Sequence, residues 1–429
     1  MALPAVLRNR DFDLYWSGVV LSQIGTRATV AANFYQVYDL TGSVLQTGLV
    51  GAGQAVALLL LSPLGGAYAD RLDRRKLLQW AQLVSLVVAL VLAVLTLTGR
   101  AQAWHVVLSV LFTTAAATFD QPARQAIIPA MVPKSQLAQA IALLNPSREI
   151  AVLVGPALAG LLIAVGGPGL VYLFDVGTYA LLVAVLAVLR VPPLVQTGPP
   201  RSVFGSIAEG AGYVARRPLI TRLMALDLSA TVLAAYRVLL PVLALDVLGV
   251  GPQGYGLLSS APSAGALLAT YTVFRVVERS QRLGRVVLVS TFLYGGAAAL
   301  LAQSRSFALA LVAALLLGAL DAMATTIRHA AVQLDTPDQL RGRVTAFYQM
   351  SSRGGPALGD VVMGAFAAAV GPVVALTLGG LGPVLVAAAF LARPNVVREY
   401  GGATVPDDAP SEPGPGPAPE GVDARPVQQ

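Results

Sequence analysis

The chain has no cysteine among its 429 residues, and it has only two histidines and two lysines. Without cysteine there are no disulfides, no thiol nucleophile and no thiolate metal site. The histidines, His105 and His329, stand far apart near the ends of apolar runs, with no spacing to another ligand-type residue that suits a metal. Charged residues are 12% of the chain, about half of what a soluble domain carries. No HExxH, GxSxG, P-loop or CxxC pattern occurs. The sequence therefore predicts a protein that is not an enzyme, holds no cofactor or metal, and hydrolyses no nucleotide.

What is present is apolar. Hydrophobic residues make up 56% of the chain and the mean hydropathy is +0.70. Runs long enough to cross about 30 Å of hydrocarbon recur over nearly the whole length. We place spans at residues 14–38, 45–69, 77–98, 104–124, 140–165, 170–189, 219–243, 255–277, 286–302, 307–328, 344–370 and 372–392. The opening MALPAVLRNRDFDLYW lacks the pattern of a cleavable signal. Twelve spans put both termini on one side. One set of loops holds Arg71, Arg74, Arg75, Lys76, Lys134, Arg190, Arg201, Arg216, Arg217, Arg279, Arg282, Arg285, Arg341 and Arg343, whereas the other offers little beyond Arg100 and Arg305. The positive-inside rule then predicts cytoplasmic termini in a cell membrane. The net charge of +7 is an orientation signal, and no nucleic-acid partner is expected.

The chain repeats itself. GPALAG at Gly155 returns as GPALGD at Gly355, Arg124 and Arg328 sit in similar surroundings, and DRLDRRKLL at Asp70 is echoed by ERSQRLGRVVL at Glu278. Three echoes in one order at a nearly constant offset imply two parallel six-helix halves. The expected organisation is an N-terminal half over 1–190, a linker over 191–218, a C-terminal half over 219–393 and a disordered Pro/Gly-rich tail over 394–429. Within the linker, Phe204, Ile207, Ala211 and Val214 form a helical apolar stripe. We read it as an amphipathic helix on the cytoplasmic face that joins the two halves, the alternative being a plain connection.

Gly66-Ala-Tyr-Ala-Asp70-Arg71-Leu-Asp73-Arg74-Arg75 resembles the signature loop of the major facilitator superfamily, with Asp73 at a position usually held by glycine. Ala151-Val-Leu-Val-Gly155-Pro156-Ala-Leu-Ala159-Gly160 is similar to the fifth-span motif of its drug/proton antiporters, with Ala151 and Ala159 in place of two glycines. NRDFDLYWSGVVLSQIG, YDLTGSVLQTGLV, FDQPARQAIIPAMVPKSQLAQAIALLN and RGRVTAFYQM resemble the enterobactin-exporter-like subgroup, the transmembrane secretion effectors. The resemblance implies an all-α membrane fold of twelve helices in two pseudo-symmetric halves, with spans one, four, seven and ten around a central cavity. It also implies that Gly66, Asp70, Arg71, Arg74 and Arg75 act as a conformational latch, with Asp70 set against the N-terminus of span eleven.

A charge at the bilayer centre costs roughly 2.5–3.5 kcal/mol on insertion scales, so buried charges mark function or pairing. Arg27, Asp227, Arg237 and Asp321 fall inside spans one, seven and ten. Asp227 and Asp321 are the proton-coupling candidates; the alternative is a permanent ion pair, such as Asp321 with Arg27. Arg27, followed by Asn33, Tyr35 and Gln36, is a substrate-cavity candidate with Arg237, since a guanidinium grips acidic oxygens bidentately. It fits a structural counter-ion equally well. Asp120, Arg124, Arg148 and Glu149 suit a cytoplasmic gate or a static network. Gly155, Pro156 and Gly160 mark either a flexing point or a tight helix contact.

The expected function is alternating-access export of a small molecule, such as a siderophore, antibiotic or drug-like compound, in exchange for protons, by a monomer in the lipid bilayer. An uptake permease of the same fold, or a membrane sensor or enzyme, are the other readings.

Overall fold

A computed structural model of the protein describes residues 5–69, 73–189 and 203–401. In the first half, α1 (Arg10–Thr41), α2 (Val44–Ala69), α3 (Arg74–Leu97), α4 (Ala103–Met131), α5 (Leu137–Gly166) and α6 (Pro168–Val188) follow one another through short turns. A shorter α7 (Val203–Ala215) leads into the second half. That half comprises the broken span α8 (Pro218–Val247), α9 (Gly251–Arg279), α10 (Leu283–Gln303), α11 (Phe307–Leu334), α12 (Asp338–Val370) and α13 (Pro372–Ala392).

Local chemistry sets the helix ends. The Asn9 side chain caps α1 by accepting from the Asp11 and Phe12 amides, at 3.1 and 3.4 Å. Asp73 caps α3, accepting from the Arg75 amide at 2.9 Å. This is what the aspartate does at the position usually held by glycine. Gly167 and Gly371 take positive φ angles of 74° and 87°, each followed by a proline on the first turn of the next helix. These two turns occupy equivalent places in the halves, 204 positions apart, so the repeat seen in the sequence is a repeat of structure.

Among the described residues, ten helices are long and apolar enough to cross a membrane. The other two long helices, α1 and α12, are more polar, because they carry Arg27, Asn33 and Gln36, and Arg353 and Asp360, into the bundle. Large apolar side chains such as Leu60, Trp80, Val165 and Leu268 are exposed on its outside, where lipid covers them. The chain is a multi-pass membrane protein.

The halves meet through α2 against α12 and α5 against α9. Glycines make both contacts possible. A Cβ at Gly160 would lie 2.7 Å from the Gly256 Cα, and one at Gly364 would lie 2.9 Å from the Gly48 Cα. These contacts lie toward the end of the bundle opposite the linker. There one apolar core is continuous across both halves, joining Phe34, Ile163, Val238, Tyr255 and Leu376. Toward the linker end the core divides into separate clusters, around Tyr15 and Leu182 in the first half and around Leu223 and Val287 in the second. The molecule is thus closed at the far end and parted at the linker end.

Two expectations change in detail. Helix α7 forms within the linker and lies along α12, with Val214 buried, the Glu209 carboxylate paired to Arg343 and the Tyr213 hydroxyl donating to the Asp335 carbonyl at 2.9 Å. The Phe204 and Ile207 side chains lie outside the described residues. Composition predicts a disordered tail from residue 394, but residues 395–400 turn back onto the bundle. Val397 is buried and the Tyr400 carbonyl accepts from the Gly284 amide at 2.8 Å. The buried Val397 joins the apolar cluster of the second half, and the Pro/Gly-rich composition begins only beyond it.

Candidate functional site

Helix α8 is not continuous. It passes from α-helix through a π-helical stretch, Ser229–Leu233, to a non-helical Ala234, and resumes at Arg237. Pro241 has no N–H for the Arg237 carbonyl, and its ring opposes a regular turn there. The break presents Arg237 to the interior. Its Nη2 bonds to the buried Asp360 carboxylate of α12 at 2.5 Å, and its guanidinium lies 5.5 Å from the Phe34 ring centroid. Beside it, the Tyr35 and Tyr255 rings are 5.5 Å apart, and the Tyr255 hydroxyl crosses between the halves to the Ala31 carbonyl at 2.7 Å. Near the closed end the Tyr38 hydroxyl donates to Asp246 of α8, again across the halves.

Arg27 sits midway along α1, pressed against α5 where Gly155 leaves room for it; a Cβ at Gly155 would be 2.5 Å from the Arg27 Cβ. Arg148, Arg237, Glu149 and Arg353 are near enough to act electrostatically on Arg27. Arg148, Glu149 and Arg353 are exposed on the parted side. Among the described residues, none of Arg27, Arg148 and Arg353 is in an ion pair. Around Arg27 the arginines therefore outnumber the one nearby carboxylate, Glu149.

Asp227 and Asp321 share one partner, and it is not Arg27. The buried Arg328 of α11 bonds to Asp227 at 2.6 Å and lies 3.7 Å from Asp321, with Thr325 holding it at 2.7 Å. Asp227 is buried, whereas Asp321 is half-exposed. In the first half Asp120 and Arg124 pair with each other along one helix at 2.5 Å, and Gln82 donates to Asp120 at 2.6 Å. Neither is paired with Arg148 or Glu149.

The remaining polar candidates of α1 divide by helix face. Asn33 is buried with its Oδ1 unpartnered. Gln36 turns toward α3 and α6, donating to Thr96 at 2.9 Å and accepting from Tyr172 at 2.6 Å.

A family model described as transmembrane secretion effector matches residues 2–414. The chain belongs to this family of major facilitator transporters. The enterobactin exporter EntS of Salmonella choleraesuis is 27% identical over 366 residues, covering 85% of this chain and 87% of that protein. The Citrobacter koseri exporter is 28% identical over 380 residues, covering 87% and 90%. Among solved structures, the nucleoside transporter NupG matches with a TM-score of 0.71 at 14% identity, covering 89% of this chain and 98% of that one. A bacterial homologue of the lysosomal transporter Spinster, inward-facing and occupied, gives 0.71 at 13% identity, covering 91% and 97%. The protein is a membrane transporter, not an enzyme.

The signature loop of this secretion effector is described only in part. Gly66 falls on α2 without a described side chain, and Asp70 and Arg71 lie outside the described residues. Arg75 reaches across to α6, donating to the Leu186 and Ala187 carbonyls at 2.6 and 2.5 Å. A cation at those free carbonyls caps the helix and complements its dipole. Gly155, Pro156 and Gly160 are contact surfaces. Gly155 admits Arg27, while Pro156 and Gly160 meet Gly256 of α9.

Arg328 stood out in the sequence only as the repeat counterpart of Arg124, and Arg353 and Asp360 were not singled out. Each is a lone charge inside an apolar or glycine-rich run, the same signal that marked Asp227 and Asp321.

Proposed function

We propose that this transporter exports a small acidic molecule from the cytoplasm by alternating access, in exchange for protons. The observation that carries the reading is the unpaired group Arg27, Arg148 and Arg353, beside Arg237, on the interior surface. Arg27 lies within a span without a paired carboxylate, Arg148 and Arg353 face the parted side, and a carboxylate or catecholate offers the bidentate geometry that guanidinium groups fit. Arg27 and Arg148 belong to one half, Arg237 and Arg353 to the other. An anion held between them ties the two halves together and can be passed from one opening to the other. The enterobactin exporters among the relatives support outward transport. Asn33, Tyr35 and Tyr255 complete the wall.

The loop arginines support placing the linker end and both termini in the cytoplasm. The described conformation then opens inward. Asp227 and Asp321 remain the candidates for proton exchange in the second half, because one guanidinium serves both and a proton on the exposed Asp321 leaves Arg328 wholly to Asp227. Gly66, Asp70, Arg71, Arg74 and Arg75 act as the latch of the cytoplasmic side, and Asp120, Arg124, Arg148 and Glu149 form its rim. The unit of transport is the monomer.

Metabolite profiling of a deletion strain tests the substrate class. Anionic compounds retained in the cells, and exported again on complementation with wild type but not with Arg27→Gln or Arg353→Gln, are the expected result. Retention of only neutral or cationic compounds would overturn it.

A further inference from the structure

Five carboxylates of the bundle helices, three of them buried, have a charged or hydroxyl partner. Asp120, Asp227, Asp321 and Asp360 each have an arginine, and Asp246 faces the Tyr38 hydroxyl near the closed end. Asp175, on α6, is different. It has no solvent-accessible surface, and among the described residues its hydrogen-bond partners are hydroxyls alone. Thr29 of α1 donates to its Oδ2 at 2.7 Å, and the Thr178 hydroxyl is shared between its Oδ1 at 3.1 Å and the Asp175 backbone carbonyl at 2.9 Å. The fit is close: a Cβ at Gly25 would lie 2.5 Å from Oδ1.

A carboxylate in hydrocarbon without a counter-ion is far costlier than its neutral acid, which makes such a group a site for a proton. The groups facing it supply no compensating charge. From α1 come Gly25, Thr26 and Thr29; Arg27 points from the other side of that helix toward α5. On α6 the neighbours are Tyr172, Thr178 and Tyr179. The polar residues of α3 nearest this seam are the neutral Gln82 and Ser85, and its cations, Arg74, Arg75 and Lys76, stand at the linker end. On α5, Arg148 and Glu149 are on the parted side.

Asp175 also sits within a line of buried polar groups. Toward the linker end, Tyr179 lies one turn along α6 and shares a 3.0 Å hydrogen bond with Thr26, whose hydroxyl donates to the Ser22 carbonyl at 2.8 Å. Ser22 contacts Gln82 at 3.4 Å, and Gln82 reaches Asp120 at 2.6 Å. Toward the closed end, Tyr172 lies almost one turn back and leads through Gln36 to Thr96. An apolar seam between three helices has no packing need for such a run.

We propose that Asp175 is a proton-exchanging group of the transport cycle, served by a polar seam between α1, α3 and α6 that is separate from the substrate cavity. A proton from solvent joins the carboxylate to give the neutral acid, and leaves again as a proton; no electrons move. The link to transport is α1, which carries Thr29 and Gly25 against Asp175 on one face and Arg27 on the other, about one helix diameter away. The inference rests on the reading that protons are exchanged, and it adds a site in the first half.

Its test needs no substrate. Purified protein in nanodiscs is titrated by infrared difference spectroscopy in H2O and D2O, reading the carboxylic-acid C=O stretch. A titrating band that is lost in Asp175→Asn and kept in Asp227→Asn and Asp321→Asn is expected. A band that survives Asp175→Asn, or is absent from wild type, overturns the proposal. Thr29→Val keeps the carboxyl and removes one donor, so it decides the matter if Asp175→Asn does not fold; the band shifts upward, and an unshifted band overturns the assignment. Loss of the band in Asp175→Asn while anion export fails in every variant, wild type included, would count against the substrate reading alone.

Discussion

At the scale of single residues, Arg328 is the most tightly held charge among the described residues. It is buried and serves two carboxylates from one guanidinium. Removing one member of a buried pair leaves an uncompensated ion, which costs about 3–5 kcal/mol, whereas removing both is often neutral. Arg328→Met is therefore expected to lower the thermal midpoint sharply. Asp227→Asn added to it should recover most of the loss, as followed by fluorescence-detected thermal unfolding in detergent. If the double variant is no more stable than the single one, Asp227 is not the group Arg328 neutralises. Sequence showed that Asp227 and Asp321 needed partners, because the cost of an intramembrane charge is readable from composition alone. It did not show which arginine answers. Arg27 and Arg328 both lie in plausible spans, and only the packing of α8 against α11 brings the second within reach. Asp175 was missed for a related reason: in LVYLFDVGTYALL it is a lone acid, and its hydroxyl donor Thr29 lies 146 positions away.

Among the elements, the crossings of α5 with α9 and of α2 with α12 are made of backbone against backbone. The GPALAG echo was visible in the sequence, but its meaning was open between a hinge and a contact. The Gly160 backbone packs directly against that of Gly256, which is the close contact one of the two readings requires. A side chain there must push the helices apart, since the obstructing atoms are backbone and cannot rotate away. Gly256→Val should destabilise the closed end and shift the molecule toward the opposite opening. Gly177→Ala, which meets nothing within 4 Å, should leave both unchanged. The chain has no native cysteine, so a single cysteine at Leu248 reports the shift directly as faster alkylation in the Gly256→Val background. Equal rates in the two backgrounds would show that this crossing does not hold the end shut. The break in α8 was not legible in advance. Its residues 219–243 read as one apolar run, and the effect of Pro241 depends on Asp360 being present to receive Arg237. Pro241→Ala restores the missing N–H and should raise the thermal midpoint while slowing transport, because the interior arginine is drawn into a regular helix. Unchanged transport would separate the break from function.

For the whole molecule, the decisive asymmetry is that one apolar core joins the halves at one end while separate cores serve each half at the other. A continuous core cannot open at no cost, so the outward-open state needs interactions at the linker end to offset it. The linker is already placed to contribute: α7 lies on α12 and also contacts α2 of the other half. The proposed alternating access has the two halves exchange contacts at opposite ends, and under that reading locking either end stops transport. Tyr38 and Asp246 are the natural place to lock, since they bond across the halves near the closed end. Replacing both, Tyr38→Cys with Asp246→Cys, and joining them with a short bifunctional thiol reagent should abolish export of the retained metabolite. A cleavable version of the same reagent should restore export when it is cut. Each single-cysteine protein treated identically should keep transporting. If the cross-linked protein exports at the wild-type rate, the far end need not open, and the two-ended rocking of the halves is ruled out.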